Sequence, residues 1–138
     1  HLYPKFIDFI KESVEELEAK GHEVELIGIF YHLGENDMSF HPYRKQAAER
    51  LQAIIAQSRK DLERPALKWY VSQQPPPDDK SVNNIDVVAN IAMAAAADPT
   101  LIHLKTFNLP PQEKKLVIST AGIVKLGEFI AKSYLGHQ

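Results

Sequence analysis

The chain has 138 residues, of which 44% are hydrophobic and 25% charged, as is ordinary for a globular domain with one core. Its net charge of −2 offers no positive surface for nucleic acid or an anionic membrane, and no apolar run reaches the roughly 18 residues of a membrane span. The absence of cysteine excludes disulfides, thiolate nucleophiles and cysteine-based zinc sites.

Helix and strand patterns then alternate along the chain. Pro4 suits the first position of a helix, whose apolar residues recur at helical spacing until the Lys20-Gly21 pair ends it. A strand is predicted over residues 24–30. Because residues 27–30 have no polar alternation, they indicate a strand that is buried on both faces, as parallel strands are.

The second helix and strand follow in the same order. Pro42 opens a helix with one apolar stripe, made of Tyr43, Ala47, Leu51, Ile54 and Ile55. Residues 67–72 are predicted to form the next strand, with Trp69 in its middle as a core residue. The prolines at 75–77 prevent the ladder from continuing.

A third helix is predicted over residues 85–97, capped by Asn83 or Asn84, and a third strand over residues 101–107. Thr120 is predicted to cap the last helix. The apolar residues of that helix are Ile123, Val124, Leu126, Phe129, Ile130 and Tyr134.

Strands separated by single helices predict an α/β fold, with a parallel sheet between two helical layers. Three strands are few for such a sheet, which usually has about five or six. An open sheet edge is an aggregation hazard, so a missing N-terminal partner is expected, either earlier residues of the same protein or a second chain. The chain starts at His1 rather than Met, so further residues are expected before it in the protein.

The loop after the first strand is the richest in chemistry, because ligands bind at the carboxyl ends of parallel strands. It contains Gly34, Glu35, Asn36 and Asp37. An Asn amide and the backbone N–H groups around a glycine are donors that can stabilise an oxyanion in acyl transfer. The same residue types are also the commonest in turns, so composition alone leaves a plain turn open.

The stretch VELIGIFYHLGENDMSF, residues 24–40, resembles the SGNH hydrolases, and among them the sialate O-acetylesterase and acetylxylan esterase type. In that type a strand runs into Trp-His-Gln-Gly-Glu-Ser-Asp or a similar segment. The resemblance continues through the strand that ends at Gln74-Pro75 and through Ser119-Thr120-Ala121-Gly122, so it covers nearly the whole chain.

This resemblance implies that residues 1–138 are the C-terminal part of one SGNH hydrolase-like domain with a flavodoxin-like three-layer fold. It implies a serine esterase that removes acetyl groups from sugars, with the nucleophile before His1. Gly34 and Asn36 then belong to the oxyanion hole. The remaining polar residues of the strand ends are the candidates for substrate contacts, namely Glu35, Asp37, His32 and Gln74.

The chain departs from the family pattern in three places. It contains no Gly-Asp-Ser or Gly-Gln-Ser-Asn nucleophile element. The positions of the catalytic Asp and His, counted back from Thr120-Ala121-Gly122, carry Lys114 and Val117, which cannot replace them. Leu33 stands where the family often has Gln.

Other residues are weaker candidates for catalysis. His41 is a speculative base, because it follows the active loop, although its place before Pro42 also suits an exposed helix end. His32 is expected to pack or hydrogen-bond locally, and His103 is expected to be a satisfied core or edge residue. The spacing of Glu35, Asp37 and His41 fits no standard metal motif, so no metal is expected.

Two functions from different classes remain. The first is a carbohydrate O-acetylesterase in the complete protein, which needs no cofactor because acyl transfer through serine needs none. The alternative is a catalytically inactive relative that binds sugars or acts as a scaffold, which the residues at 114 and 117 favour. Secretion or a periplasmic location is suggested by the family resemblance only.

Overall fold

The structure is a computed structural model that describes residues 2–33, 41–73, 85–105 and 118–136. Helices and strands alternate in the order α1 (Leu2–Ala19), β1 (Ile29–Leu33), α2 (His41–Asp61), β2 (Trp69–Gln73), α3 (Ile85–Ala97), β3 (Leu101–Leu104) and α4 (Thr120–Leu135). None of the described helices is both long and apolar enough to cross a membrane.

The described strands form one parallel sheet in the order β1-β2-β3. Ile29 is in register with Trp69, and Trp69 is in register with Leu101. All five residues of β2 are buried, because this strand has a neighbour on each side and helices above and below. The predicted parallel sheet is confirmed.

One face of the sheet packs against α2 and α3. Trp69 and Val71, which are 1% and 0% exposed, point to this face from the middle of the sheet. The helices contribute Ala47, Ala48, Leu51, Ile55, Val87 and Ile91 to the same cluster. The prediction that Trp69 is a core residue is confirmed.

The opposite face packs against α4 through aromatic rings. The ring of Phe30 stacks on Tyr70 with 4.7 Å between centroids, and Tyr134 of α4 meets Tyr70 edge-on at 6.1 Å. Helices therefore cover both faces of the parallel sheet, in agreement with a three-layer sandwich.

Helix α1 is hydrogen-bonded to Asp61, the last residue of α2. The Tyr3 hydroxyl donates to Oδ2 of Asp61 at 2.7 Å, and Ile7 is buried. Burial, followed by this hydrogen bond and the negative charge of Asp61, raises the pKa of Tyr3 to about 12. The phenol is thus held protonated as a donor to the carboxylate.

Two predicted strands are displaced toward the C-terminus. The first covers Ile29–Leu33 instead of 24–30, and the second covers Trp69–Gln73 instead of 67–72. The shared ladder begins where the Ile29 N–H donates to the Lys68 carbonyl at 2.9 Å, so the preceding apolar residues have no strand partner there. The third strand, predicted over 101–107, is Leu101–Leu104, and residues 106 and 107 lie outside the described residues.

The prediction that residues 27–30 are buried on both faces is wrong. Ile27 is 40% exposed and Phe30 is 39% exposed. The reason is that β1 lies at the edge of the described sheet, with a neighbour on one side only.

The helix predictions hold with small shifts at the ends. The first two helices begin at Leu2 and His41, two residues and one residue before the predicted prolines, and the third matches its prediction. The N-cap of α4 is Ser119 rather than Thr120, because the Ser119 side chain accepts from the Gly122 N–H at 3.1 Å.

The predicted apolar stripes are partly wrong. Of the α2 stripe, Ala47, Leu51 and Ile55 are buried, whereas Tyr43 and Ile54 are 43% and 36% exposed. In α4, Leu126 is buried, whereas Ile123, Val124 and Phe129 are 59%, 57% and 37% exposed. Each helix packs through a narrower strip than its apolar residues cover.

Candidate functional site at the carboxyl ends of the strands

Polar side chains cluster where the three parallel strands end. We call His32, Ser72, Gln73 and His103 the carboxyl rim. Ser72 and Gln73 are the last two residues of β2 and are 1% and 0% exposed. Buried polar groups are costly unless they are hydrogen-bonded, so their partners define the site.

On the face covered by α4, His32 pairs with Ser72. These residues are direct neighbours in the β1–β2 register, and a hydrogen bond of 2.7 Å joins Nδ1 of His32 to Oγ of Ser72. The other ring nitrogen, Nε2, is buried and has no hydrogen-bond partner among the described residues. The expectation that His32 bonds locally is confirmed, with the partner on the neighbouring strand.

On the face covered by α2 and α3, His103 pairs with Gln73. The Nε2–H of His103 donates to Oε1 of Gln73 at 2.7 Å. Its Nδ1 is buried and has no partner among the described residues. The expectation of a satisfied histidine is therefore confirmed for one ring nitrogen and not for the other.

Burial favours the neutral form of both imidazoles of the carboxyl rim. Burial lowers the pKa of His32 below its ordinary value. Burial, followed by the positive charge of Lys105, lowers the pKa of His103. A neutral imidazole keeps one nitrogen as an acceptor and one as a donor, so each ring can orient a neighbouring polar group.

The contact between Ser72 and His32 has the geometry of a nucleophile with a base. However, Ser72 is only 1% exposed, so its hydroxyl does not face solvent or a substrate. We therefore interpret the pair as a device that fixes the His32 ring. Among the described residues, no group of three or more His, Cys, Asp or Glu side chains could hold a metal ion.

Most of the predicted site residues fall outside the described residues. These are Gly34, Glu35, Asn36, Asp37 and Gln74, together with Lys114 and Val117. His41 is the first residue of α2, but its side chain is not among those described. Of the predicted substrate-contact residues, His32 alone has its side chain among the described residues.

The roles of Ser72 and Gln73 were missed from the sequence. A usable signal was present, since a predicted buried strand that ends in Ser-Gln after Trp-Tyr-Val puts two polar groups at the binding edge of a parallel sheet. Their pairing with His32 and His103 depends on the strand register, which only the fold supplies.

Comparison with known proteins gives a family and a fold. The family described as "Carbohydrate esterase, sialic acid-specific acetylesterase" matches residues 1–136. No curated protein matches the chain.

A solved X-ray structure of a protein from Arabidopsis thaliana is similar over 99% of this chain, with a TM-score of 0.73 and 20% sequence identity. The chain covers 52% of that protein, about half its length. At this identity the likeness concerns the fold alone. The match over 136 of the 138 residues carries the assignment, and the chain belongs to the sialic acid-specific acetylesterase family of carbohydrate esterases.

Proposed function

We propose that the complete protein is a carbohydrate O-acetylesterase, a serine hydrolase with an SGNH-type fold that removes acetyl groups from sugars. The observation that carries the proposal is the family match over residues 1–136, together with a parallel sheet whose carboxyl rim holds two neutral imidazoles. The nucleophilic serine comes from residues outside 1–138, since the chain contains no Gly-x-Ser element of the family type.

In the proposed reaction, the serine hydroxyl gives its proton to a base while its oxygen bonds to the acetyl carbonyl carbon, and the carbonyl oxygen becomes an oxyanion. The bond from this carbon to the sugar oxygen then breaks, the sugar leaves as an alcohol with the proton, and water hydrolyses the acetyl-serine to acetate. The Asn36 amide and the backbone N–H groups around Gly34 donate hydrogen bonds to this oxyanion. A backbone approach to the substrate is easiest at glycine, which has no Cβ. Serine acyl transfer requires no cofactor.

The sugar is contacted by Glu35, Asp37, His32 and Gln74. Carboxylates accept hydrogen bonds from sugar hydroxyls, and a neutral imidazole can donate or accept. The Nδ1 of His32 is bonded to Ser72 at 2.7 Å, so Nε2, which is buried among the described residues, is the nitrogen left for a sugar hydroxyl. A ring held in one orientation loses less entropy when it binds a ligand.

The base of the reaction is where the chain departs from the family pattern. Lys114 and Val117 occupy the positions where the family resemblance places the catalytic Asp and His. His41, at the start of α2, is the alternative base within the chain. If His41 acts as the base, His41→Gln abolishes most turnover in the complete protein and leaves sugar binding intact.

The first test measures p-nitrophenyl acetate hydrolysis by the complete protein. Asn36→Ala is expected to lower kcat by about 10²-fold or more, because it removes one oxyanion donor. Asn90→Ala on α3 is the matched control and retains the wild-type rate. Turnover that survives Asn36→Ala unchanged would contradict the oxyanion role, although not the family.

The second candidate function is an inactive relative that binds acetylated sugars without hydrolysis. The residues Lys114 and Val117 favour it, because lysine cannot orient an imidazolium and valine cannot transfer a proton. This hypothesis predicts sugar binding by calorimetry with no turnover. It also predicts that the double variant Lys114→Asp, Val117→His gains hydrolysis, whereas the single variants do not.

A further inference from the structure

An open groove lies at the amino ends of β1 and β2, at the opposite end of the sheet from the carboxyl rim. Its volume is about 610 Å³, within the range of about 300–1,000 Å³ that ligand sites usually have. One wall is the segment 25–27 before β1, the other is the segment 63–68 between α2 and β2, and Tyr134 of α4 also lines it. Neither wall belongs to a described strand, so a bound peptide would have no ladder to extend.

The groove continues toward α1 as a cleft of about 280 Å³ between α1 and the end of α2. Leu26, Glu63 and Arg64 line both parts, so the two form one elongated depression with these residues at its middle. An open, elongated depression suits a chain-like ligand, because such a ligand can extend beyond both ends.

The charged groups of the larger part of the groove balance. Glu25 and Glu63 contribute two carboxylates, and Arg64 and Lys68 contribute two cations. Among the described residues, no ion pair joins the Arg64 guanidinium to either carboxylate, so these three groups can hydrogen-bond to a ligand. Balanced charge favours neither a polyanion nor a polycation. Hydroxyl groups suit this lining, because they donate to carboxylates and accept from a guanidinium.

Glu63 lines the groove in a backbone conformation that favours glycine. Its φ is 55°, in the left-handed region, where a side chain is disfavoured. The Glu63 N–H donates to the Lys60 carbonyl at 3.1 Å, and the Arg64 N–H donates to the Arg59 carbonyl at 2.8 Å. This is the pattern of a Schellman C-cap, in which glycine is the usual residue at the position of Glu63. A glutamate in this conformation beside a groove indicates a role for its side chain.

We propose that the groove between residues 25–27 and 63–68 binds a neutral saccharide chain, at a site separate from the carboxyl rim. The charged groups would bond to its hydroxyls, and the partly exposed ring of Tyr134 would pack against the apolar face of a sugar. The strands separate the groove from the carboxyl rim by roughly 13 Å, at about 3.3 Å per residue from Ile29 to Leu33. The choice of a saccharide rests on the proposed function, and the groove would hold a polymer whose acetyl groups react elsewhere.

An NMR titration of the complete protein with xylohexaose tests this site without reference to hydrolysis, because the probe has no acetyl group. Saturable shifts are expected at the amides of Arg64, Ala66 and Leu67, with a Kd of about 1 mM. Glu63→Gly is expected to weaken this Kd about tenfold, because it removes a charged acceptor. The same variant should unfold at a higher urea concentration, because glycine suits the left-handed conformation, so weaker binding would not reflect unfolding.

Glu128→Gln is the matched control, because Glu128 is an exposed carboxylate of α4 outside the groove. This variant should leave both the Kd and the urea midpoint unchanged.

The outcomes separate the groove from other sites and other ligands. Shifts confined to the carboxyl rim, or groove shifts that Glu63→Gly does not weaken, overturn the inference. Groove shifts with an anionic oligogalacturonate or an unstructured peptide, but not with xylohexaose, also overturn it. Groove binding by a complete protein that does not hydrolyse p-nitrophenyl acetate would support the saccharide site and reject the esterase.

Discussion

At the scale of single residues, Gly28 shows how closely the entry to β1 approaches β2. A Cβ at this position would lie 2.9 Å from the Lys68 carbonyl oxygen and 3.2 Å from the Tyr70 ring. The first neighbour is backbone and cannot move as a flexible side chain could. Glycine is therefore required here by the close approach of two chain segments.

Gly28→Ala is expected to destabilise the protein by about 1–3 kcal/mol, because the added methyl group overlaps the neighbouring strand. Gly127→Ala is the control. Its Cβ meets nothing within 4 Å, and alanine in a helix is favoured over glycine by about 0.5–1 kcal/mol. Urea unfolding measures both changes, and equal effects of the two substitutions would contradict the assignment.

The two histidines of the carboxyl rim make stability depend on pH. Their folded pKa values are lowered, so below about pH 6.5 the unfolded chain binds more protons than the folded one. Stability is therefore expected to fall as the pH is lowered from about 7 to 5. Both rings contribute, because each is half-buried and the fold disfavours the charged form of each.

The measurement is the free energy of unfolding against pH for the protein and for the double variant His32→Gln, His103→Gln. The slope between pH 5 and 7 is expected to become smaller in the variant, whatever its absolute stability. An unchanged slope would mean that other groups titrate in this window. Each single variant then shows how the effect divides between the two faces of the sheet.

At the scale of elements, Arg59 connects α2 to the turn between α3 and β3. Its guanidinium donates to Asp98 Oδ2 at 2.6 Å, to Thr100 Oγ1 at 2.5 Å and to the Leu67 carbonyl at 3.1 Å. Burial raises the pKa of Asp98, but the hydrogen bonds from Thr100 and Arg59 outweigh it and lower the pKa overall. This network fixes the amino ends of β2 and β3 relative to α2.

Arg59→Met is expected to cost about 2–3 kcal/mol, because it leaves a partly buried carboxylate and a carbonyl without their donor. The matched control is Lys20→Met, which removes the ion pair with Glu16. Those side chains are 59% and 70% exposed, so the change is expected to stay within about 0.5 kcal/mol. Thermal unfolding of the two variants compares them directly, and similar losses would argue against the network.

At the scale of the whole molecule, the outer edge of β1, with which no described strand pairs, is expected to govern how residues 1–138 behave alone. Residues 1–138 expressed alone are expected to self-associate at micromolar concentrations, because an apolar edge pairs with other strands. Tyr31→Lys should reduce this association, since a charge on an edge strand opposes pairing.

Met93→Lys adds the same charge on α3, at a residue that is 64% exposed, and serves as the control. Light scattering over a concentration series measures the effect of each variant. Equal suppression by both variants would show that net charge, rather than the β1 edge, controls association. A wild-type segment that remains monomeric throughout would contradict the expectation itself.

Much of the architecture was accessible from local pattern. The helix at 85–97 was predicted to the residue, because capping residues before it and Asp98-Pro99 after it mark both ends. The parallel sheet followed from single helices between strands. By contrast, both strand starts at 24 and 67 were placed too early, because a ladder begins only where two segments meet.

The candidate site likewise has features that the sequence reveals and features that only the fold reveals. The Gly-Glu-Asn-Asp sequence at 34–37 and the family resemblance are properties of short, contiguous segments, and the match over residues 1–136 confirms the family. The substitutions at 114 and 117, which weaken the catalytic hypothesis, are also visible without coordinates. The polar pairs at the carboxyl rim are not, since their members lie 40 and 30 residues apart.

The sequence by itself determined the α/β class, the order of helices and strands, and the family of this protein, because each depends on periodicity or on motifs in neighbouring residues. Tertiary structure decided the register that joins His32 to Ser72 and His103 to Gln73, and the position of β1 at the edge of the described sheet. The physical reason is that hydrogen bonding and burial across strands depend on which distant segments become neighbours, and no local pattern encodes that choice.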